Sequence, residues 1–203
     1  MKRWVGVDEE AQKIGNDVPA TVLAAMPAVL LPLLSPTFAA IRTQQGAVSA
    51  LLWSNPLADP YPPIDGALLV AVRAWLADYF AGHFRAVSFP IVWRGTGFQR
   101  RLGEQLAAIP PGQTVSYGVL AQRMGSAPRA VGRGLGANPL PLLLPCHRVV
   151  AATGLGGFSA PGGVETKRWL LAWERCWSGQ TGGLPIDLTA GDAPGLQQPH
   201  KNI

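Results

Sequence analysis

The sequence predicts an α+β protein built from two units, strands and one helix first, then a mostly helical second half. Three observations lead there. Two β-rich runs, 38–42 and 47–53, flank Gln44-Gln45-Gly46, the signature of a hairpin. The stretch 67–80 sets Leu68, Val72, Trp75, Leu76 and Tyr79 on one helical stripe, and Gly82 stands just beyond it as a stop. Charge is segregated along the 203 residues, whose net charge is +5. Residues 1–95 are net zero. Residues 96–178 hold nine Arg and Lys against only Glu104, Glu165 and Glu174, and the tail 179–203 is net −1.

In chain order, residues 1–35 form an N-terminal extension of unclear structure. Asp8, Glu9, Glu10 and Asp17 argue against a signal peptide. The apolar run 21–34 is too short to span a bilayer and is interrupted by Pro27 and Pro32. A cytoplasmic protein is expected, with no membrane association. Its two cysteines, Cys146 and Cys176, are then reduced and too few for a structural zinc site. Residues 36–95 make the N-terminal α/β unit: the hairpin, a loop over 55–65 with Pro56, Pro60, Pro62 and Pro63, the helix 67–80, and a last strand over 89–93. This half carries no recognisable chemistry, and His83 reads as a polar residue at a helix end.

Residues 96–178 form the second unit. Thr96 caps a helix over 98–109, and Pro110-Pro111-Gly112 turns the chain. Ser116 caps a helix reaching Met124, Gly125-Ser126 is a tight turn, and a second helix runs over 128–137 with Pro128 in its first turn. Two short helices joined by a glycine turn describe a helix-turn-helix. The second helix contains Gly132, Gly134 and Gly136, each costing about 1 kcal/mol against alanine. Either its bare surface, with Arg129 and Arg133 projecting, admits a phosphate-lined groove, or it packs tightly on a neighbour. The excess positive charge suits a polyanion, nucleic acid first, or a solubilising surface.

The chemistry centres on 140–150, Leu-Pro-Leu-Leu-Leu-Pro-Cys-His-Arg-Val-Val. The apolar run 142–144 has the length of a short buried strand, and Pro145 ends it. Cys146 and His147 follow at that strand end. A cysteine is nucleophilic as thiolate, and a nearby base or cation favours that form. Strand geometry would point the two side chains apart, so contact needs a turn or a bridging water. The loop 154–163, rich in glycine, lacks a following Lys-Ser/Thr and is no P-loop. It can wall a pocket. A final helix over 164–177 presents Trp169, Leu170, Trp173, Cys176 and Trp177 as its apolar face, which makes Cys176 a core residue. Glu174 lies at the edge of that face, within reach of an imidazole. From Gly179 the chain reads as a disordered tail.

Five motifs together are specific. They are Pro145-Cys146-His147-Arg148-Val149, the preceding Asn138-Pro139, Arg129-Ala130-Val131-Gly132, the upstream Pro-Gly-Gln-Thr-Val-Ser-Tyr117, and the downstream Leu-Gly-Gly-Phe-Ser with Lys167-Arg-Trp-Leu-Leu and Glu174. Over roughly residues 96–175 the chain resembles the O6-alkylguanine-DNA alkyltransferases. The N-terminal half matches that family in layout only.

The resemblance implies an N-terminal domain of ribonuclease-H-like layout and a C-terminal domain with a winged helix-turn-helix-like DNA-binding unit. It implies a monomer that binds duplex DNA through the minor groove, with no cofactor and no metal. An alkylated guanine is flipped into a pocket, and the alkyl group moves irreversibly from its O6, or from O4 of an alkylated thymine, onto the protein. In that scheme Cys146 is the nucleophile, His147 a base acting through a water, Glu174 the partner that orients that histidine and favours its imidazolium, which stabilises the thiolate, Tyr117 a neighbour of the flipped base, and Asn138 a support of the turn. Arg129, Ala130, Gly132, Arg133 and Ser116 face DNA. Tyr117, Pro141, Val149, Gly157, Phe158 and Ser159 line the pocket.

Some features depart from the family pattern. Phe158 stands where many relatives have tyrosine, so any hydroxyl contact there is lost. The glycine loop is one residue short before Leu155 and longer after Phe158, which bears on pocket shape. Cys146 separates the chain from the alkyltransferase-like proteins that lack the nucleophile. Residues 1–95 contain no cysteine, unlike the cysteine-rich metal domain of large regulatory relatives. Two other classes fit parts of the pattern: a non-catalytic helix-turn-helix protein, which needs no Cys-His-Glu set, and a Cys/His hydrolase, whose acyl-enzyme would turn over.

Overall fold

The computed structural model describes residues 28–31, 37–54, 64–93 and 95–178. The expectations for 1–27, for the proline-rich stretch 55–63 and for the tail 179–203 lie outside the described residues.

The first unit is a three-stranded antiparallel sheet of order β1-β2-β3, with β1 Ala28–Leu31, β2 Thr37–Gln44 and β3 Ala47–Ser54. The hairpin turn is Gln45-Gly46, both at positive φ, 52° and 74°. Such two-residue turns match the twist of the flanking strands. Strand β1 falls in the Ala/Leu/Pro run that resisted reading, and pairs Val29 with Ala39. The expected strand over 89–93 reduces to one parallel bridge, Val48 to Ile91, with Val48 N donating to Pro90 O and Val92 N to Val48 O.

Helix α1, Gly66–Phe80, starts at Asp65, whose carboxylate accepts from Leu68 N. It lays Leu68, Leu69, Val72, Leu76, Tyr79 and Phe80 into the core with Ile41, Val48 and Leu51 of the sheet. That core continues into the second unit through Leu140, Leu142, Leu143 and Leu170. A backbone hydrogen bond, Leu51 N to Pro139 O at 2.8 Å, ties the sheet to the loop that carries the site.

The second unit follows its capping signals closely. Helix α2, Gly97–Ala107, begins at a capping box in which the Thr96 hydroxyl accepts from Gln99 N and the Gln99 side chain accepts from Thr96 N. Strand β4, Val115–Ser116, leads into α3, Tyr117–Arg123, capped by the Ser116 hydroxyl. Helix α4, Pro128–Gly136, has proline in its first turn. Strand β5, Val149–Val150, pairs parallel with β4, and α5 runs Gly163–Ser178. Helices α2, α3 and α4 share a small core of Leu102, Leu106, Leu120, Val131 and Leu135.

Three expectations fail here, in whole or in part. Residues 142–144 are buried or half-buried but form turns, not a strand, and Cys146–Arg148 is one turn of 3-10 helix. Pro139, Pro141 and Pro145 remove ladder donors, and Leu142 sits at φ 69°. That left-handed conformation costs a non-glycine residue about 1–3 kcal/mol and is held by the surrounding packing. The fully buried residues of α5 are Thr166, Lys167, Leu170, Leu171 and Glu174; of the expected face Leu170 is buried, Trp169 and Trp173 pack half-buried against the core, and Trp177 is exposed. Cys176 is exposed rather than in the core.

Candidate active site

Pairing of Val115 with Val149 and Ser116 with Val150 brings the start of α3 against the Cys146–Arg148 turn. Tyr117 and Cys146 thus become neighbours, although 29 positions separate them in sequence. Asn138, at the end of α4, holds the intervening loop from both sides. Its Nδ2 donates to Leu144 O at 2.8 Å and its Oδ1 accepts from Leu140 N at 3.0 Å. Its side chain also reaches the Cys146 sulfur.

A cleft of about 210 Å3 opens beside that sulfur. Asn138 and Pro141 form one side, Phe158 and Ser159 of the glycine loop another, and Leu135 closes part of it. The third wall comes from the N-terminal sheet: Leu51, Leu52 and Trp53 of β3. Tyr117 stands against the glycine loop, where a Cβ on Gly156 would lie 2.9 Å from its ring. Gly156 itself has φ 71°, so both space and backbone require glycine there. Of the expected pocket residues, Val149 is buried in the small sheet, and Gly157 turns its carbonyl inward to Lys167.

Behind the cysteine lies a buried ion cluster. Glu174 is fully buried, and its two carboxylate oxygens accept from four groups. These are His147 Nε2 at 2.8 Å, the Tyr79 hydroxyl at 2.7 Å, Gly112 N at 3.1 Å and the Arg148 guanidinium at 2.7 and 2.9 Å. Arg148 Nη1 also donates to Ile109 O. Burial alone would raise the Glu174 pKa, but His147 and Arg148 outweigh it and hold the carboxyl far below its ordinary range.

Burial lowers the pKa of the His147 imidazole despite the carboxylate beside it, so the ring is neutral at pH 7. Nε2 then carries the proton given to Glu174, which leaves Nδ1 as an acceptor. Nδ1 is buried and has no hydrogen-bond partner among the described residues. This differs from the expected imidazolium. Glu174 still favours the protonated ring, but burial, with the positive charges of Arg148 and Lys167 added, outweighs it.

Burial also raises the pKa of the Cys146 thiol, opposed by the Asn138 hydrogen bond, the charge of Lys167 and nearby backbone N–H groups. Burial likewise raises Tyr117, with the Cys146 charge adding to it. At the other end of the site, Arg129, Arg133 and Arg123 are exposed on and beside the helix-turn-helix, with Ala130 and Gly132 half-buried between them. Gly134 is spent on packing, since a Cβ there would meet Leu102 at 2.6 Å. Gly136 faces open space, and Gly132 has only the Tyr117 ring at 3.9 Å. Tight packing is thus present at Gly134, while Gly132 and Gly136 leave bare helix surface.

Sequence reasoning missed Arg148, Lys167, Tyr79 and the β3 wall. One signal was available: Lys167, Leu170, Leu171 and Glu174 share one helical face, so a buried Glu174 implies a buried Lys167.

A half-buried cysteine lining a cleft, beside a buried histidine–glutamate pair and packed with two short helices that carry exposed arginines, is the arrangement to compare with known proteins. The model of the 6-O-methylguanine DNA methyltransferase DNA-binding domain matches residues 97–176. The methylated-DNA–protein-cysteine methyltransferase of Salmonella typhimurium is 47% identical over 103 residues, 49% of this chain and 59% of that protein. The chain thus spans little more than half the length of that relative. The Mycobacterium bovis protein of the same name is 41% identical over 135 residues, 65% of this chain and 76% of its own length. The structure of Mycobacterium tuberculosis OGT in complex with DNA superposes with TM-score 0.62 at 32% identity, covering 73% of this chain and 91% of that one. The chain belongs to the methylated-DNA–protein-cysteine methyltransferase family.

Proposed function

We propose that the protein repairs DNA by moving an alkyl group from O6 of guanine, and from O4 of thymine, in duplex DNA onto its own Cys146. The observation that carries this reading is that Cys146 lines a cleft together with Asn138, Pro141, Phe158 and Ser159, beside the buried His147–Glu174 pair. The neutral His147, with Nδ1 free to accept, takes the thiol proton through a water, and Glu174 fixes the tautomer by accepting from Nε2. The thiolate sulfur forms a bond to the alkyl carbon while the carbon–oxygen bond breaks. Its electron pair stays on the guanine oxygen, which takes up a proton. The Tyr117 hydroxyl, kept protonated by its raised pKa, and the Ser159 region supply that proton or hydrogen bond. A thioether is not hydrolysed, so each molecule acts once.

Duplex DNA lies along α4 through its minor groove. Arg129 fills the place vacated by the flipped base, which costs a few kcal/mol to unstack. Ser116, Ala130, Gly132 and Arg133 complete the contact. Pro141, Phe158 and Ser159 receive the base, with Gly157 and Val149 shaping the loop and turn around it. The N-terminal unit has a ribonuclease-H-like layout, the second a winged helix-turn-helix-like one, and the protein works as a cytoplasmic monomer without cofactor or metal. Among the described residues no helix is long and apolar enough to cross a membrane, and no group of three metal-ligating side chains occurs.

The experiment is incubation with an O6-methylguanine duplex followed by peptide mass spectrometry. One methyl group per protein, on the Cys146 peptide, is expected. Turnover beyond one equivalent, or methylation confined to Cys176, would overturn the reading.

A further inference from the structure

Lys167 is the largest fully buried side chain among the described residues. Its ammonium donates to Val149 O at 2.6 Å and Gly157 O at 3.2 Å, and lies 5.8 Å from the centroid of the Tyr117 ring. Among the described residues it makes no ion pair. The nearby carboxylate, Glu174, is already committed to Arg148, His147, Tyr79 and Gly112. Glu165, on the same helix, is exposed and pairs with Arg168.

A buried ammonium facing only neutral partners is costly unless an anion joins it. The charges around Lys167 can be counted. Glu174 is negative, Arg148 positive, His147 and Tyr117 neutral, and Lys167 positive. With Cys146 as a thiol the buried site is therefore one positive charge in excess. Ionising that thiol cancels the excess.

We infer that Lys167 is the positioning residue that supplies the counter-charge for the Cys146 thiolate, and that its two carbonyl contacts hold β5 and the glycine loop around Tyr117. The inference deepens the proposed function and rests on it for the identity of the acceptor. The assignment of cationic help passes from His147 to Lys167, while His147 keeps the role of base. Coupling in both directions agrees with this arrangement. Burial lowers Lys167 to about 8 against the opposing pull of Cys146, and the Lys167 charge favours the ionised Cys146. Alkylation would end that coupling, because a thioether carries no charge.

The test uses the full chain in a Cys176→Ser background, so that Cys146 is the single thiol. Reaction with iodoacetamide as a function of pH reads the thiolate without DNA. Lys167→Met should slow alkylation at neutral pH about tenfold and move the profile to higher pH, an effect of the size one close opposite charge produces. Lys167→Arg should keep most of the neutral-pH rate. Methyl uptake from a methylated duplex should follow the same pattern and recover at alkaline pH in Lys167→Met. A second measurement needs no variant: NMR titration of the Lys167 side chain before and after Cys146 alkylation should show its pKa fall. Coincident iodoacetamide profiles for wild type and Lys167→Met, or a lysine titration unmoved by alkylation, would overturn the inference. Absence of methyl uptake in the wild type with shifted iodoacetamide profiles would instead sink the proposed reaction and leave the charge pairing standing.

Discussion

Glu174→Gln changes one atom in a fully buried group that holds four partners. The amide keeps one acceptor oxygen and loses the charge, and its NH2 faces donors on Arg148, Gly112 or His147. The dominant loss is compensation for Arg148, which is buried and whose other contact is the Ile109 carbonyl. Removing one partner of a buried ion pair typically costs about 3–5 kcal/mol. A domain of this size loses roughly 2–4 °C of Tm per kcal/mol, so a drop of roughly 6–20 °C is expected.

The pH dependence has a definite sign. The Glu174 carboxyl is depressed in the fold, so its stabilisation is present above the ordinary value of about 4.3 and is lost as pH falls toward its folded value in strong acid. His147 is also depressed, so its neutral form adds a loss of stability as pH falls through about 6.5. The variant should therefore keep the upper acid step and lose the lower one. The assay is calorimetry with urea unfolding across acid pH, and Arg148→Met in the same background should recover part of the loss by removing the orphaned charge. A Tm within 2 °C of wild type (about the shift of 1 kcal/mol), with both acid steps intact, would refute the cluster as the support of the site.

Cys146→Ala should abolish methyl uptake while duplex affinity stays within about twofold, since a thiol adds little to groove contacts; uptake remapped to Cys176 would remove Cys146 from the mechanism. Arg129→Ala should slow transfer from duplex far more than from free O6-benzylguanine, because only the duplex has a stacking hole to fill; equal losses would place Arg129 in the chemistry or the fold. Arg133→Ala should weaken binding alike for all sequences and make the salt slope shallower by about one unit, measured by fluorescence titration at several salt concentrations. Gly134→Ala should destabilise by about 1–3 kcal/mol, less the roughly 1 kcal/mol regained in helix propensity, because Leu102 is buried and cannot swing away. Gly136→Ala should be neutral or mildly stabilising in the same thermal melt.

Local signals served the fold well where the decision was local. The Thr96 capping box, the Ser116 cap, Pro128 in a first turn and the Gln45-Gly46 hairpin each rest on contacts within four residues. They failed where a distant partner decides. Strand β1 exists through its register with β2, which nothing in 28–31 specifies. The run 142–144 is apolar because it is buried, and burial alone does not distinguish a strand from a turn. The aromatic stripe of α5 finds the side that meets the core, where Trp169 and Trp173 pack half-buried. It does not reveal that the fully buried positions beside them hold Lys167 and Glu174, whose partners come from α1, the Gly112 turn, β5 and the glycine loop.

The site divides along the same line. Cys146, His147 and Glu174 stand out by residue type, and the structure joins His147 to Glu174 and sets Cys146 in the cleft lining. The residues that set their charges do not stand out, because Arg148 and Lys167 look like surface residues in a basic stretch, and Tyr79 and Trp53 look like core in a half without chemistry. Position in three dimensions reverses both readings. Tyr79 donates from α1 directly to Glu174, and Leu51, Leu52 and Trp53 wall the cleft beside the sulfur. The N-terminal unit is thus part of the site through one hydrogen bond to the ion cluster and one apolar wall. Loss of that unit would expose Glu174 and Arg148 to water, weakening their attraction by the change in dielectric, and would open the cleft on one side. The helical unit carries Cys146, but the burial of the ion cluster and the walls of the cleft are supplied by both.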